Sequence, residues 1–112
     1  MASKTTQRSL KLLREDGYEC AIVERWNAFA HIRQDLFGFI DILCLCPYRG
    51  ILGVQTTVAG KIKERKKKIG AEPRSRMFLK AGGAIVIHGW KKATRNDNAR
   101  RGTWICVKEI IV

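Results

Sequence analysis

Acidic residues are scarce in this sequence of 112: Asp and Glu number ten against 22 Lys and Arg, a net charge of +12. Such a surplus costs the folded chain self-repulsion and rules out a charge-balanced surface; a polyanionic partner, nucleic acid first, would offset it. Cysteines are few (Cys20, Cys44, Cys46 and Cys106), with no CxxC pair and no His at finger spacing, so a zinc ribbon or disulfide framework has no support. Histidine is rarer still. His31 reads as a loop residue and His88 as a strand-end residue, with no nucleophile spaced beside either. Proline occurs twice, and no repeat, linker or low-complexity tail appears. No apolar run reaches membrane-spanning length, and Met1-Ala2-Ser3-Lys4 leads into polar residues without an apolar leader. No membrane partner is expected: the basic residues lack a broad apolar helical face with Trp or Phe anchors behind them. A reducing cytoplasm suits the cysteine usage.

What is present is enough for one domain over residues 1–112, since 46% of the chain is apolar. The pattern predicts a helix over 6–16, with Leu10 and Leu13 as its stripe and Gly17 as its stop. A strand follows over 20–25, then an irregular connection over 26–36. Residues 39–45 are apolar on both alternating faces, as in a strand covered on both sides. Pro47-Tyr48-Arg49-Gly50 turns the chain into a partner strand over 51–57. Beyond Gly60 a basic helix runs to about Gly70, with Val58, Ile62 and Ile69 on its buried side. A short helix over 74–81 and strands over 84–88 and 104–110 complete the chain, with a basic loop over 91–102. The fold class is α/β (α+β): a mixed sheet flanked by helices, in the order α-β-β-β-α-(α)-β-β. Trp26, Trp90 and Trp104 read as core or sheet-edge packing.

Asp41 stands out. It lies inside the most apolar strand, where an ionised carboxylate needs an Arg or a metal ion beside it. If Pro47-Tyr48-Arg49 form a three-residue loop, facing residues have numbers summing to 96. Asp41 then stands opposite Gln55 on one face, with Thr57 two residues on.

The order of elements, with Arg33-Gln34-Asp35-Leu36-Phe37-Gly38-Phe39-Ile40-Asp41 and Gly53-Val54-Gln55-Thr56-Thr57, resembles the PD-(D/E)XK nuclease superfamily. Within it the chain looks closest to small Holliday-junction-resolvase-like and phage-encoded proteins. The resemblance implies a restriction-endonuclease-like core, Mg²⁺ (or Mn²⁺) as cofactor, DNA as partner, a homodimer, and a cytoplasmic setting, the host's if phage-encoded. It makes Asp41 the first metal ligand, Gln55 the second, and the Thr56 main-chain carbonyl a further one. Thr57 falls where the superfamily has Lys, and Gln7 where resolvase-like members carry an acid; both are departures. Glu24 is the available substitute carboxylate, and Lys61 or Lys63 could supply the missing cation.

Residues 61–76 concentrate positive charge: Lys61, Lys63, Arg65, Lys66, Lys67, Lys68, Arg74 and Arg76 against Glu64 and Glu72. With Arg33 and with Lys91 and Lys92 of the late loop, they are the candidate phosphate contacts, which give affinity without reading sequence. Arg33 and Asp35 directly precede the Asp41 strand, as a structural pair or as part of the metal shell and DNA contact. Two functions follow as expectations. One is a metal-dependent endonuclease hydrolysing DNA phosphodiesters, branched DNA included; the other is a non-catalytic DNA-binding protein on a degraded nuclease fold. A third, an RNA-binding accessory protein, lacks a stacking motif.

Overall fold

The computed structural model describes residues 2–112 as an α+β fold on a five-stranded mixed sheet. Helix α1 (Lys4–Glu15) begins where the Ser3 hydroxyl accepts the Thr6 N–H. Strand β1 (Glu19–Ile22) follows, then a separate two-stranded ribbon of β2 (Arg25–Asn27) and β3 (Ile32–Gln34). Strands β4 (Ile42–Cys46) and β5 (Gly50–Val58) form a hairpin. A 3₁₀ turn (Ala59–Lys61), α2 (Ile62–Ala71) and α3 (Pro73–Lys80) cross over to β6 (Ala84–Lys92), parallel to β5, and β7 (Trp104–Ile111) closes the sheet. The strand order is β1-β4-β5-β6-β7.

Alternation along the strands divides the core in two. Leu13, Cys20, Ile42, Cys44, Val54 and Val86 pack on the α1 face, while Phe39, Ile40, Ile69, Ile85 and Ile87 pack beneath α2 and α3. Cys44 and Cys46 are both buried with Leu45 exposed between them, and all four cysteines are free thiols.

Several expectations need correction. The strand over 20–25 stops at Ile22, because beyond Val23 the chain leaves the sheet, and Arg25 opens the ribbon instead. The connection over 26–36 is therefore not irregular. Val58 is exposed; the buried contact of α2 is Ile69, with Ile62 half-buried. His88 is no strand-end residue: it lies in the middle of β6, buried, with Nδ1 2.9 Å from Ser9 Oγ. Trp90 donates to the same hydroxyl, but Trp26 is exposed on the ribbon.

The start of α2 rests on Gly89. A Cβ there would overlap Ile62 Cγ1 and lie 3.0 Å from the Ala59 Cα, a backbone atom. Gly89→Ala is expected to cost about 1–3 kcal/mol, by overpacking, in a urea titration. Unchanged stability would mean that this end of the crossover lifts freely from the sheet.

Candidate metal and phosphate site

The hairpin register sets the centre of the site. Ile42 faces Val54 and Cys46 faces Gly50, the expected sum of 96. Asp41 lies one residue before β4, yet its N–H still donates to the Val54 carbonyl at 2.8 Å and its carbonyl accepts from Val23 at 2.8 Å. Its backbone is thus fixed on both sides, and its carboxylate reaches the end of β5. There Oδ2 accepts from Gln55 Nε2 and from the Thr56 N–H, both at 2.7 Å.

A tight turn brings in a second carboxylate. Leu36 and Ile40 bridge one another, so by the same index argument Asp35 comes to lie across from Asp41. Phe37 (φ 55°) and Gly38 (φ 83°) adopt left-handed backbone to close that turn. For Phe37 this stores strain of about 1 kcal/mol. Glu24 enters where the chain leaves β1 and supplies the third carboxylate. Oxygens of Glu24, Asp35 and Asp41 all lie within 4.8 Å of one another. Thr6 of α1 supports this side, donating to Glu24 Oε1 at 3.4 Å and lying 3.0 Å from Thr56 Oγ1.

Electrostatics make the Asp41 charge costly as it stands. Burial, with the Asp35 carboxylate beside it, pushes Asp41 up to about 8 against the pull of the Thr56 N–H. Gln55 Nε2 also reaches Asp35 Oδ2 at 3.3 Å, so the amide donor faces two acids while Oε1, buried, has no partner. An oxygen-liganded divalent cation fits this donor set. Mg²⁺ and Mn²⁺ prefer carboxylate and carbonyl oxygens, and a half-turn of the Gln55 amide would aim Oε1 at the ion.

The opposite wall is cationic. Lys61, at the N-cap of α2, and Arg65 and Lys68 within the helix recur at spacings of four and three, which brings the three to one side. All three line a cleft of about 410 Å³ with Glu24, Asp35, Asp41 and Gln55. Lys68 Nζ lies 3.7 Å from Asp35 Oδ2 and Arg33 Nη1 3.5 Å from Glu24 Oε1. Among the described residues two buried side-chain polar atoms lack a hydrogen-bond partner, Gln55 Oε1 and Arg65 Nε, and both residues line this cleft. One is an acceptor with no donor and the other a donor with no acceptor.

The structure sorts the residues expected from sequence. Asp41, Glu24, Gln55, Thr56, Thr57, Lys61 and Arg33 line the cleft together. Thr56 meets Asp41 through its N–H and hydroxyl. Thr57 is buried and offers no cation, and Lys61 belongs to the 3₁₀ turn and not to the first turn of α2. Arg65 and Lys68 come into the cleft, whereas Lys63, Lys66, Lys67 and Arg76 do not; Lys66 instead lies 3.9 Å from Glu109 of β7. Arg74 pairs with Glu72 at 2.6 Å and lines the adjoining hollow beside Lys68. Lys91 pairs with Asp97 at 3.3 Å and Lys92 lies over the Trp104 ring, both outside the cleft.

Asp35 takes a ligand position that the superfamily motif does not assign to it, brought across from Asp41 by the turn at Phe37-Gly38. Among the described residues no helix is long and apolar enough to cross a membrane. No protein-family model, curated protein or solved structure matches the chain.

Proposed function

We propose that the protein is a divalent-metal-dependent endonuclease acting on DNA. What carries the reading is the pairing of three carboxylates with Lys61, Arg65 and Lys68 across one cleft, where Gln55 Oε1 and Arg65 Nε await partners. The resemblance to PD-(D/E)XK nucleases supports the same reading. Asp41, Asp35 and Glu24 would hold Mg²⁺ or Mn²⁺, with Gln55 completing the protein ligands. What the ion supplies when bound is Lewis-acid activation of water and phosphate.

The chain's own groups do the rest. Thr56 fixes the Asp41 carboxylate, so the trio is oriented before substrate arrives. Arg65 and Lys61 offset charge developing on the phosphate, the task that the usual strand Lys performs and that Thr57 cannot. Thr57 equally favours a second reading, a DNA-binding module without catalysis. Two copies would cut two strands, in keeping with the expected homodimer.

Labelled duplex, single-stranded and four-way-junction DNA, incubated with Mg²⁺ or Mn²⁺, separate the two. Metal-dependent cutting is expected, lost when EDTA is added. Salt-sensitive binding without cutting under either metal would leave the binding module. Replacing Lys61, Arg65 and Lys68 together with Ala should lower the salt slope of duplex binding by about 0.9 per phosphate contact, nearly three in all. A slope unchanged within error would place the DNA elsewhere on the surface.

A further inference from the structure

The ribbon of β2 and β3 pairs with no other strand, and its tip is apolar. Phe29 is 100% exposed there. It is held out by an ordered turn, since Asn27 Oδ1 accepts the N–H groups of both Phe29 (3.0 Å) and Ala30 (3.1 Å). Trp26 and Ile32 on the flanks are also exposed, and Trp26 faces Arg33 across the ribbon as Arg25 faces Gln34. An isolated two-stranded ribbon is marginal in water. Free aromatic surface on such an element, between arginines, needs an explanation beyond folding.

We propose that the ribbon is a DNA-reading arm whose Phe29 stacks on unpaired or unstacked bases, giving preference for branched over linear duplex DNA. This rests on the DNA-binding reading above but not on catalysis. Charge complementarity favours nucleic acid as the occupant. Arg25 and Arg33 lie on the ribbon, and its base opens into the hollow shared with Glu24, Asp35, Lys68 and Arg74. A two-stranded ribbon fits a groove. An exposed aromatic ring stacks on any base with an open π-face, which an intact duplex does not present.

The test is equilibrium binding in EDTA, where no cutting occurs, to a four-way junction, a forked duplex and a linear duplex. Each carries 2-aminopurine at the branch point or its linear equivalent. The wild type is expected to bind the branched molecules more tightly and to quench the branch-point 2-aminopurine. Phe29→Ala should lower branched-DNA affinity by about ten-fold, the loss of one stacked base, while duplex affinity stays within about two-fold. Phe29→Trp should restore both signals. Because Phe29 makes no buried contact, the thermal midpoint of each variant should match the wild type. Equal wild-type binding to branched and linear DNA, or no effect of Phe29→Ala on branched DNA, would overturn the proposal and leave DNA binding intact. Failure to bind any DNA would overturn both readings. A Phe29→Ala variant that breaks a wild-type dimer without altering branch preference would reassign the tip to a contact with a second copy.

Discussion

Asp41→Asn is expected to stabilise the metal-free protein while abolishing its response to Mn²⁺ and any cleavage. The carboxylate is buried beside Asp35, so its folded pKa lies far above its unfolded value of 3.8. An acid so raised contributes stability below its unfolded pKa and loses it as pH rises, here from about 4 to about 8. At pH 8, close to the folded pKa, the wild type therefore carries most of that cost. Asparagine keeps an acceptor for the Gln55 amide and the Thr56 N–H and presents its own N–H to Asp35. It should recover about 2 kcal/mol at pH 8, or roughly 10 °C in the thermal midpoint, and much less at pH 5. Mn²⁺ should raise the wild-type midpoint and leave that of Asp41→Asn unchanged. The loss in cutting should be about a thousand-fold, as for other groups that set charge around a reacting phosphate or carbonyl. A variant less stable than wild type at pH 8 would show that the carboxylate is held by charge pairing that the geometry does not reveal.

The same variant should expose an opposing titration at His88. Burial, with Lys108 nearby, lowers the ring to about 4 from 6.5, against a weaker pull from Asp16. The unfolded chain then takes up the proton first. Stability from His88 is present above pH 6.5 and is lost as pH falls toward 4. The loss amounts to about 3 kcal/mol over the window. In the wild type, Asp41 gains stability over the same fall and masks the step. In Asp41→Asn, urea titrations at pH 7 and pH 4.5 should differ by most of that amount. Adding His88→Gln, which keeps a polar group near Ser9, should flatten the curve. A pH 4.5 loss that persists in the double variant would assign the acid sensitivity to other groups.

Much of this was legible in the sequence where local rules decide. The hairpin index sum of 96 needed a loop length and the pleat, and placed Asp41 against Gln55. The sheet strands and helices followed from apolar patterning. What escaped were features set by tertiary competition. The Ile-Val run past Cys20 looks like one strand, but the sheet offers Val23 a partner and Glu24 none. The ribbon carries strand-forming Trp26 and Ile32 without the alternation that burial imposes, so it read as irregular. Asp35 was undervalued because its placement depends on Phe37 in left-handed backbone, a conformation that no propensity for Phe suggests. In the cation wall, Lys61 stands out by its place just past Thr57, whereas the density of basic residues around them hides Arg65 and Lys68, which follow it at spacings of four and three.

The two walls of the cleft differ in stiffness. Asp41 hangs on a short side chain from a backbone bonded on both sides, and Thr56 and Gln55 grip its oxygen. Lys61, Arg65 and Lys68 end in long side chains, each with at least four rotatable bonds between backbone and charge. An ion held by the first wall would have little freedom to shift. A phosphate against the second could be followed over several ångströms. On the proposed function, such a pairing of a rigid seat with a compliant grip would accept backbones of varied curvature while presenting each to the same coordination point.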